Sequence, residues 1–104
     1  MRGRGKKLER DFQGDLIASL RGMVGDFGFV FAMDGNDIQG FPDILILYKG
    51  RWAALECKKS SAEPYRPNQE YYIDLINSLS FASVIYPAIE EEVLNDLRKA
   101  LRLR

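Results

Sequence analysis

FPDILILYKGRWAALECK, residues 41–58, is the stretch whose reading decides how this chain folds. Two apolar runs, Ile44 to Tyr48 and Trp52 to Leu55, flank Lys49-Gly50, the pattern of a β-hairpin. A two-residue turn sets Tyr48 opposite Arg51, Ile44 opposite Leu55 and Asp43 opposite Glu56. A three-residue turn with Gly50 in a bulge shifts the pairing by one and sets Asp43 opposite Leu55. Lys-Gly suits the two-residue turn less well than Asn-Gly, because the lysine must take a positive φ. The two-residue register is the preferred expectation.

In that register the chemistry is specific. Directly opposed residues of an antiparallel pair have Cβ atoms about 4.5–5.5 Å apart. Two carboxylates at that distance repel each other unless something positive lies between them. Period two also puts Lys58 on the face of Glu56. An acid, an acid and an amine at one end of an apolar sheet suit a hard divalent cation such as Mg²⁺. A bound cation beside a lysine in turn suits attack of water on a phosphodiester. The bland alternative is a salt bridge between Lys58 and one of the acids.

Both faces of the hairpin are apolar: Ile44, Ile46, Ala53 and Leu55 on one, Leu45, Leu47, Trp52 and Ala54 on the other. Such a sheet needs cover from helices or from a second subunit. The chain of 104 residues is read as a single domain spanning 1–104, and at 46% hydrophobic and 29% charged it can fill a core and stay in water. No apolar run is long enough for a membrane span, and no apolar segment follows the charged start MRGRGKKLERDF, so neither a membrane location nor a secretory signal is expected. A single cysteine, Cys57, excludes an internal disulfide and fits a reducing, cytoplasmic setting. The absence of histidine removes Ser-His triads, histidine bases and His-ligated zinc.

Fifteen basic and fifteen acidic residues cancel, which is low for a nucleic-acid binder. The bases, however, gather at the ends: Arg2, Arg4, Lys6 and Lys7 open the chain, and Arg98, Lys99, Arg102 and Arg104 close it. Residues 1–5 are expected to form a disordered basic arm, either a contact to a phosphate backbone or a solubilising tail.

From Lys6 to Met23 the spacing of Leu8, Phe12, Leu16, Leu20 and Met23 predicts a helix, with Glu9 at the border of its apolar stripe. Glu9 by itself reads as an exposed acid favoured by the helix dipole. Residues 25–33 read as a strand with Phe27, Phe29, Phe31 and Met33 on one face and Val30 on the other. DGNDIQG (34–40) is turn chemistry, in which Asp34 and Asp37 are either ligands or ordinary loop acids. The loop 59–67 sets Lys59, Tyr65 and Arg66 to contact phosphates or stack on bases, unless it is simply solvated. A helix over 68–79 is predicted with Gln69 in its first turn and Tyr72, Leu75, Ile76 and Leu79 buried. A strand (81–86) and a helix (89–103) with Val93, Leu94, Leu97, Ala100 and Leu101 apolar complete an α-β-β-β-α-β-α order.

Pro42-Asp43, a gap of twelve residues and then Glu56-Cys57-Lys58 resemble the PD-(D/E)XK nuclease signature, and Gly40-Phe41 with the following ILIL matches its common GxPD-hydrophobic form. The αβββαβ order is that superfamily's core, so the resemblance implies a restriction-endonuclease-like α/β fold: a central mixed sheet flanked by helices, here with one extra C-terminal helix. Within the superfamily the chain is most similar to small VRR-NUC and Holliday-junction-resolvase-like proteins, many of them phage-encoded. That resemblance implies a site of Asp43, Glu56 and Lys58, joined by Glu9 from the first helix and by Gln69 opening the helix after the E-x-K strand. It implies the backbone carbonyl of Cys57 as a further metal ligand, and Mg²⁺, replaceable by Mn²⁺, as cofactor. It further implies a DNA endonuclease selective for branched DNA and acting as a homodimer. A flap, single-strand or repair nuclease on the same fold would use the same residues. A non-catalytic DNA-binding module, or a structural phage protein with a chance motif, would not cut at all.

Overall fold

The computed structural model describes residues 4–33 and 37–103, with side chains from residue 11 onward. Helix α1 (Arg4–Val24) leads through a 3-10 turn (Gly25–Phe27) into strand β1 (Gly28–Ala32). Strands β2 (Ile44–Tyr48) and β3 (Arg51–Cys57) form the hairpin, and helix α2 (Gln69–Leu79) crosses over to β4 (Phe81–Ile85). A second 3-10 turn (Pro87–Ile89) opens into helix α3 (Glu90–Leu101). The sheet runs β1-β2-β3-β4, antiparallel except for the parallel pair of β3 and β4, so the chain is an α/β fold on a four-stranded mixed sheet with three helices. Among the described residues no helix is long and apolar enough to cross a membrane.

The two-residue hairpin register is the one adopted: Tyr48 pairs with Arg51 and Ile44 with Leu55. Lys49 (φ 47°) and Gly50 (φ 79°) both occupy the left-handed region, as a type I′ turn requires. The lysine's strained backbone is accompanied by contacts of its side chain, whose ammonium lies 4.7 Å from the Phe27 ring centre and 5.4 Å from that of Tyr48.

The sheet then sorts its side chains by period two. Val30, Ile44, Ile46, Leu55, Cys57 and Ile85 point to one side, where Leu16, Leu20 and Val24 of α1 and Val93, Leu97 and Leu101 of α3 close the main core. Each such branched side chain, fully buried, contributes about 1.5–3 kcal/mol relative to exposure. On the other side Ala54 and Ala82 make a shallow seat for Ile73 and Ile76 of α2, edged by Phe41, Trp52, Tyr72 and Val84.

Several sequence expectations change here. Helix α1 begins at Arg4, so Arg4 and Gly5 belong to it rather than to a disordered arm, and the remainder of that arm, Arg2 included, lies outside the described residues. The strand expected over 25–33 shortens to Gly28–Ala32, because Gly25–Phe27 form a 3-10 turn. The face carrying the phenylalanines is the exposed one: Phe27, Phe29 and Phe31 are 66%, 67% and 42% exposed, while Val30 alone of that strand is buried. In α2 the buried row is Gln69, Ile73 and Ile76, not Leu75 and Leu79, which face outward. A polar side chain thus heads the buried face, because it has polar partners to meet there. Helix α3 stops at Leu101 because Arg102 turns left-handed (φ 59°) and the Leu103 N–H caps the Arg98 carbonyl at 2.9 Å; Ala100 stays exposed.

One contact fixes the approach to the hairpin. Gly40 (φ 91°) lies so close to the start of α2 that a Cβ there would come within 2.7 Å of the Asn68 carbonyl carbon and 2.8 Å of the Pro67 oxygen. The segment entering β2 is therefore held against the first turn of α2, the turn that carries Gln69.

Candidate active site

Strand register alone brings the two acids together. Extending the Ile44–Leu55 pair by one residue sets Asp43 beside Glu56, both on the α2 side of the sheet. The Cys57 N–H donates to Asp43 Oδ2 at 2.9 Å, and the Met33 N–H donates to the Asp43 carbonyl at 2.8 Å, so both neighbouring strands pin this residue. Asp43 is half-buried, whereas Glu56 is only 3% exposed.

Gln69 enters from α2 and ties the rest. Its Nε2 donates to Glu56 Oε2 at 2.6 Å, and its Oε1 accepts from Lys58 Nζ at 2.7 Å and from the Arg66 N–H at 2.6 Å. Lys58 also donates to the Pro64 carbonyl at 3.1 Å and lies 4.0 Å from Glu63 and 5.1 Å from the Tyr65 ring centre. A fully buried lysine is rare unless paired, and here a side-chain amide and a carbonyl take two of its three protons. The amide's orientation follows from its neighbours: oxygen toward the ammonium, nitrogen toward the carboxylate.

Glu56 Oε1 is the exception to this satisfaction: it is buried with no hydrogen-bond donor within reach. What lies near it is the other acid. Burial first, then the Asp43 charge, push the Glu56 pKa from 4.5 up to about 8, against a downward pull from Lys58 and Arg66. A proton on Glu56 relieves the repulsion between the two carboxylates. A cation between them would offset the same repulsion. The donor set is hard oxygen, which suits Mg²⁺ or Mn²⁺.

Of the residues expected at the site, Asp43, Glu56, Lys58 and Gln69 converge. The Cys57 side chain points through the sheet into the main core, away from them. Glu9, Lys6 and Lys7 lie within α1, and their side chains are outside the described ones, as is Asp34. Among the described residues two carboxylates approach each other, and no group of three or more acidic, cysteine or histidine side chains gathers to hold a metal. Asp37 is exposed in its loop, away from any such group. Lys59, Tyr65 and Arg66 ring the site from the loop, all exposed, and Arg66 is near enough to act on Glu56 through its charge. The sequence reading missed Glu63, which accepts from the Lys59 N–H at 2.7 Å and faces Lys58. It also missed the Pro64 carbonyl. Neither carries a sequence signal, since both act through a fold of the loop back onto β3.

Compared with protein-family models, with curated proteins and with solved structures, the chain finds no match in any of the three.

Proposed function

We propose that this protein is a divalent-cation-dependent DNA endonuclease with a restriction-endonuclease-like core, selecting its substrate by DNA shape. The observation that carries this reading is the buried, donorless Glu56 Oε1 set against Asp43, next to a lysine held in place by an amide. Stability alone does not explain such a pair, because two apolar residues in the same places would cost nothing in desolvation or repulsion.

Asp43 and Glu56, with the Cys57 carbonyl and Glu9 as further oxygen donors, are the residues that would hold Mg²⁺ or Mn²⁺. The bound ion supplies acidification of a water and neutralisation of charge on the scissile phosphate. Lys58 presents its remaining proton to a phosphate oxygen or to the attacking water, and Gln69 fixes the direction in which it points. The Asp43–Cys57 hydrogen bond keeps one carboxylate oxygen turned to the strand. Because Lys58 is covered, substrate reaches it when the loop 59–67 moves aside. Lys59, Tyr65 and Arg66 on that loop, with Arg2, Arg4, Lys6 and Lys7 at the N-terminus, supply contacts to the DNA backbone.

Cutting opposed strands of a four-way junction takes two such sites, as a homodimer would provide. Cutting a flap or a single strand takes one, and the exposed Phe27, Phe29 and Phe31 favour that second reading. The test is incubation of purified protein with end-labelled four-way junction, flap, duplex and single-stranded DNA, with Mg²⁺, with Mn²⁺ and with chelator. Cleavage that needs the cation and vanishes in Asp43→Asn supports the proposal. Undiminished cutting by Asp43→Asn, or none by the wild type on any substrate, overturns it.

A further inference from the structure

On the α2 side of the sheet only the half over β3 and β4 carries a helix. The half over β1 and β2 exposes Phe29 and Phe31, with Phe27 just before them and Leu47 beside them, between 38% and 67% exposed. The two strand phenylalanines lie nearly parallel, ring centres 5.9 Å apart and planes 26° from each other. Beside them runs an open groove of about 310 Å³, bordered by Phe27, Phe29, Leu47, Lys49, Arg51 and Trp52. Its charged lining residues are both cations, and none is acidic.

This surface and the acid pair share one face. Phe31 pairs with Leu45 and Phe29 with Leu47, and the Met33 N–H bonds the carbonyl of Asp43, so the rings stand in rungs that lead to the site. At about 3.3 Å per residue, Phe31 is roughly 7 Å and Phe29 roughly 13 Å along the strand from the Asp43 rung. Contiguous exposed aromatics on an edge strand are an aggregation hazard that a fold normally avoids. A sheet face with rings at alternate positions and cations at its rim is, by contrast, the physical recipe for stacking unpaired bases.

We infer that the exposed face of β1 and β2, with Phe29 and Phe31 at its centre, is a stacking platform for single-stranded DNA, which it leads toward Asp43 and Glu56. The inference rests on the nuclease reading for its purpose, but its binding step does not. Bases continue the Phe29–Phe31 stack, while Lys49 and Arg51 at one end, and Lys59 and Arg66 at the other, meet the phosphates. The charge of the groove separates this occupant from a second copy of the chain. Two copies meeting here would bring Lys49 and Arg51 of both together with no acid in the groove to offset them. A polyanion meets them favourably. The substrate class that follows is DNA with an unpaired strand, such as a flap or a splayed end.

The test uses the full chain in chelator, where no cleavage occurs, and the probe is a fifteen-nucleotide oligo(dT). Trp52, the only tryptophan, borders the groove and reports binding by quenching of its emission. The double variant Phe29→Thr/Phe31→Thr keeps β-branched residues on an exposed strand, and circular dichroism checks its fold. Loss of a stacking ring weakens binding about five- to hundredfold, so the double variant is expected to lose at least tenfold. Unchanged affinity overturns the inference. So does a wild-type dimer that the double variant turns monomeric by sedimentation with oligo(dT) affinity retained, because the face then serves a second copy. Asp43→Asn separates the two proposals: it is expected to keep oligo(dT) binding in chelator while losing cleavage in Mg²⁺. If it binds normally and still cleaves, the active-site reading fails while the platform stands.

Discussion

Replacing Glu56 by Gln should remove a pH dependence of stability that the wild type carries between about pH 4.5 and 8. The glutamate's pKa rises from 4.5 in the unfolded chain to about 8 in the fold. Between those values the folded protein holds a proton that the unfolded chain has released, so stability falls as pH rises. The contribution is complete below pH 4.5 and gone above 8. At about 1.4 kcal/mol per pKa unit the shift sets a ceiling of about 5 kcal/mol. The Asp43 charge beside Glu56 contributes to that shift, so a loss of about 2–4 kcal/mol is the expected reading. Glutamine imitates the protonated acid: its Nε2 can donate to Asp43, and its oxygen can accept from Gln69. The assay is urea unfolding followed by Trp52 emission, in chelator, from pH 5 to 9. The difference between the wild type and Glu56→Gln isolates this group from the other carboxylates. Expected is a variant about as stable as the wild type near pH 5 and clearly more stable at pH 8.5. Added Mg²⁺ should close that gap at high pH, because the ion takes the place of the missing proton. Two curves that stay parallel from pH 5 to 9 would refute the raised pKa of Glu56.

Two further substitutions test the scaffold of the site. Gly40→Ala forces a Cβ within 2.7 Å of Asn68 at a φ of 91°, so a loss of about 2 kcal/mol or more is expected, seen as a fall in Tm of roughly 8 °C; a Tm within 2 °C or so of the wild type would show that the loop does not press on α2. Gln69→Leu leaves Glu56 Oε2 without its donor and Lys58 without its nearest acceptor, for an expected cost of at least about 2 kcal/mol in urea unfolding at pH 7. The same variant should cleave far more slowly than the wild type, because the ammonium loses its direction, whereas equal cleavage rates would remove Gln69 from the mechanism.

The hairpin and its register were legible because period two and Lys49-Gly50 leave few pairings, and the acid pair followed from register alone. Which face of β1 turns inward was not legible. Alternation says that Phe27, Phe29 and Phe31 share a side, but only the packing of α1 beneath Val30 says which side is covered. Hydrophobicity misplaced the buried row of α2 for a related reason. Its first occupant, Gln69, is polar, so the apolar residues at 75 and 79 looked like the continuation of a stripe that in fact runs through Ile73 and Ile76. The partners Glu63 and Pro64 were out of reach because a loop's return path is set by tertiary contacts, not by local composition.

The same sheet face explains why these features belong together. Two residues along the strands, on the same face as the acids, Leu45 and Ala54 pair with apolar side chains, so the strands accept apolar residues at this end without difficulty. Asp43 and Glu56 stand there despite the cost of burial and mutual repulsion that raises Glu56 to about 8. Gln69 and Lys58 then fix the pair from a third element, so a cation entering would meet oxygens that are already in place, with one proton as the only thing to displace. Helix α2 packs over β3 and β4, with its first turn at the acids, and leaves the phenylalanines of β1 bare. A further helix placed over β1 and β2 would shield them and would also cover the strand face that leads to Asp43. Coverage of the acids and exposure of the face on which we propose that a strand of DNA lies are thus two consequences of a single helix position.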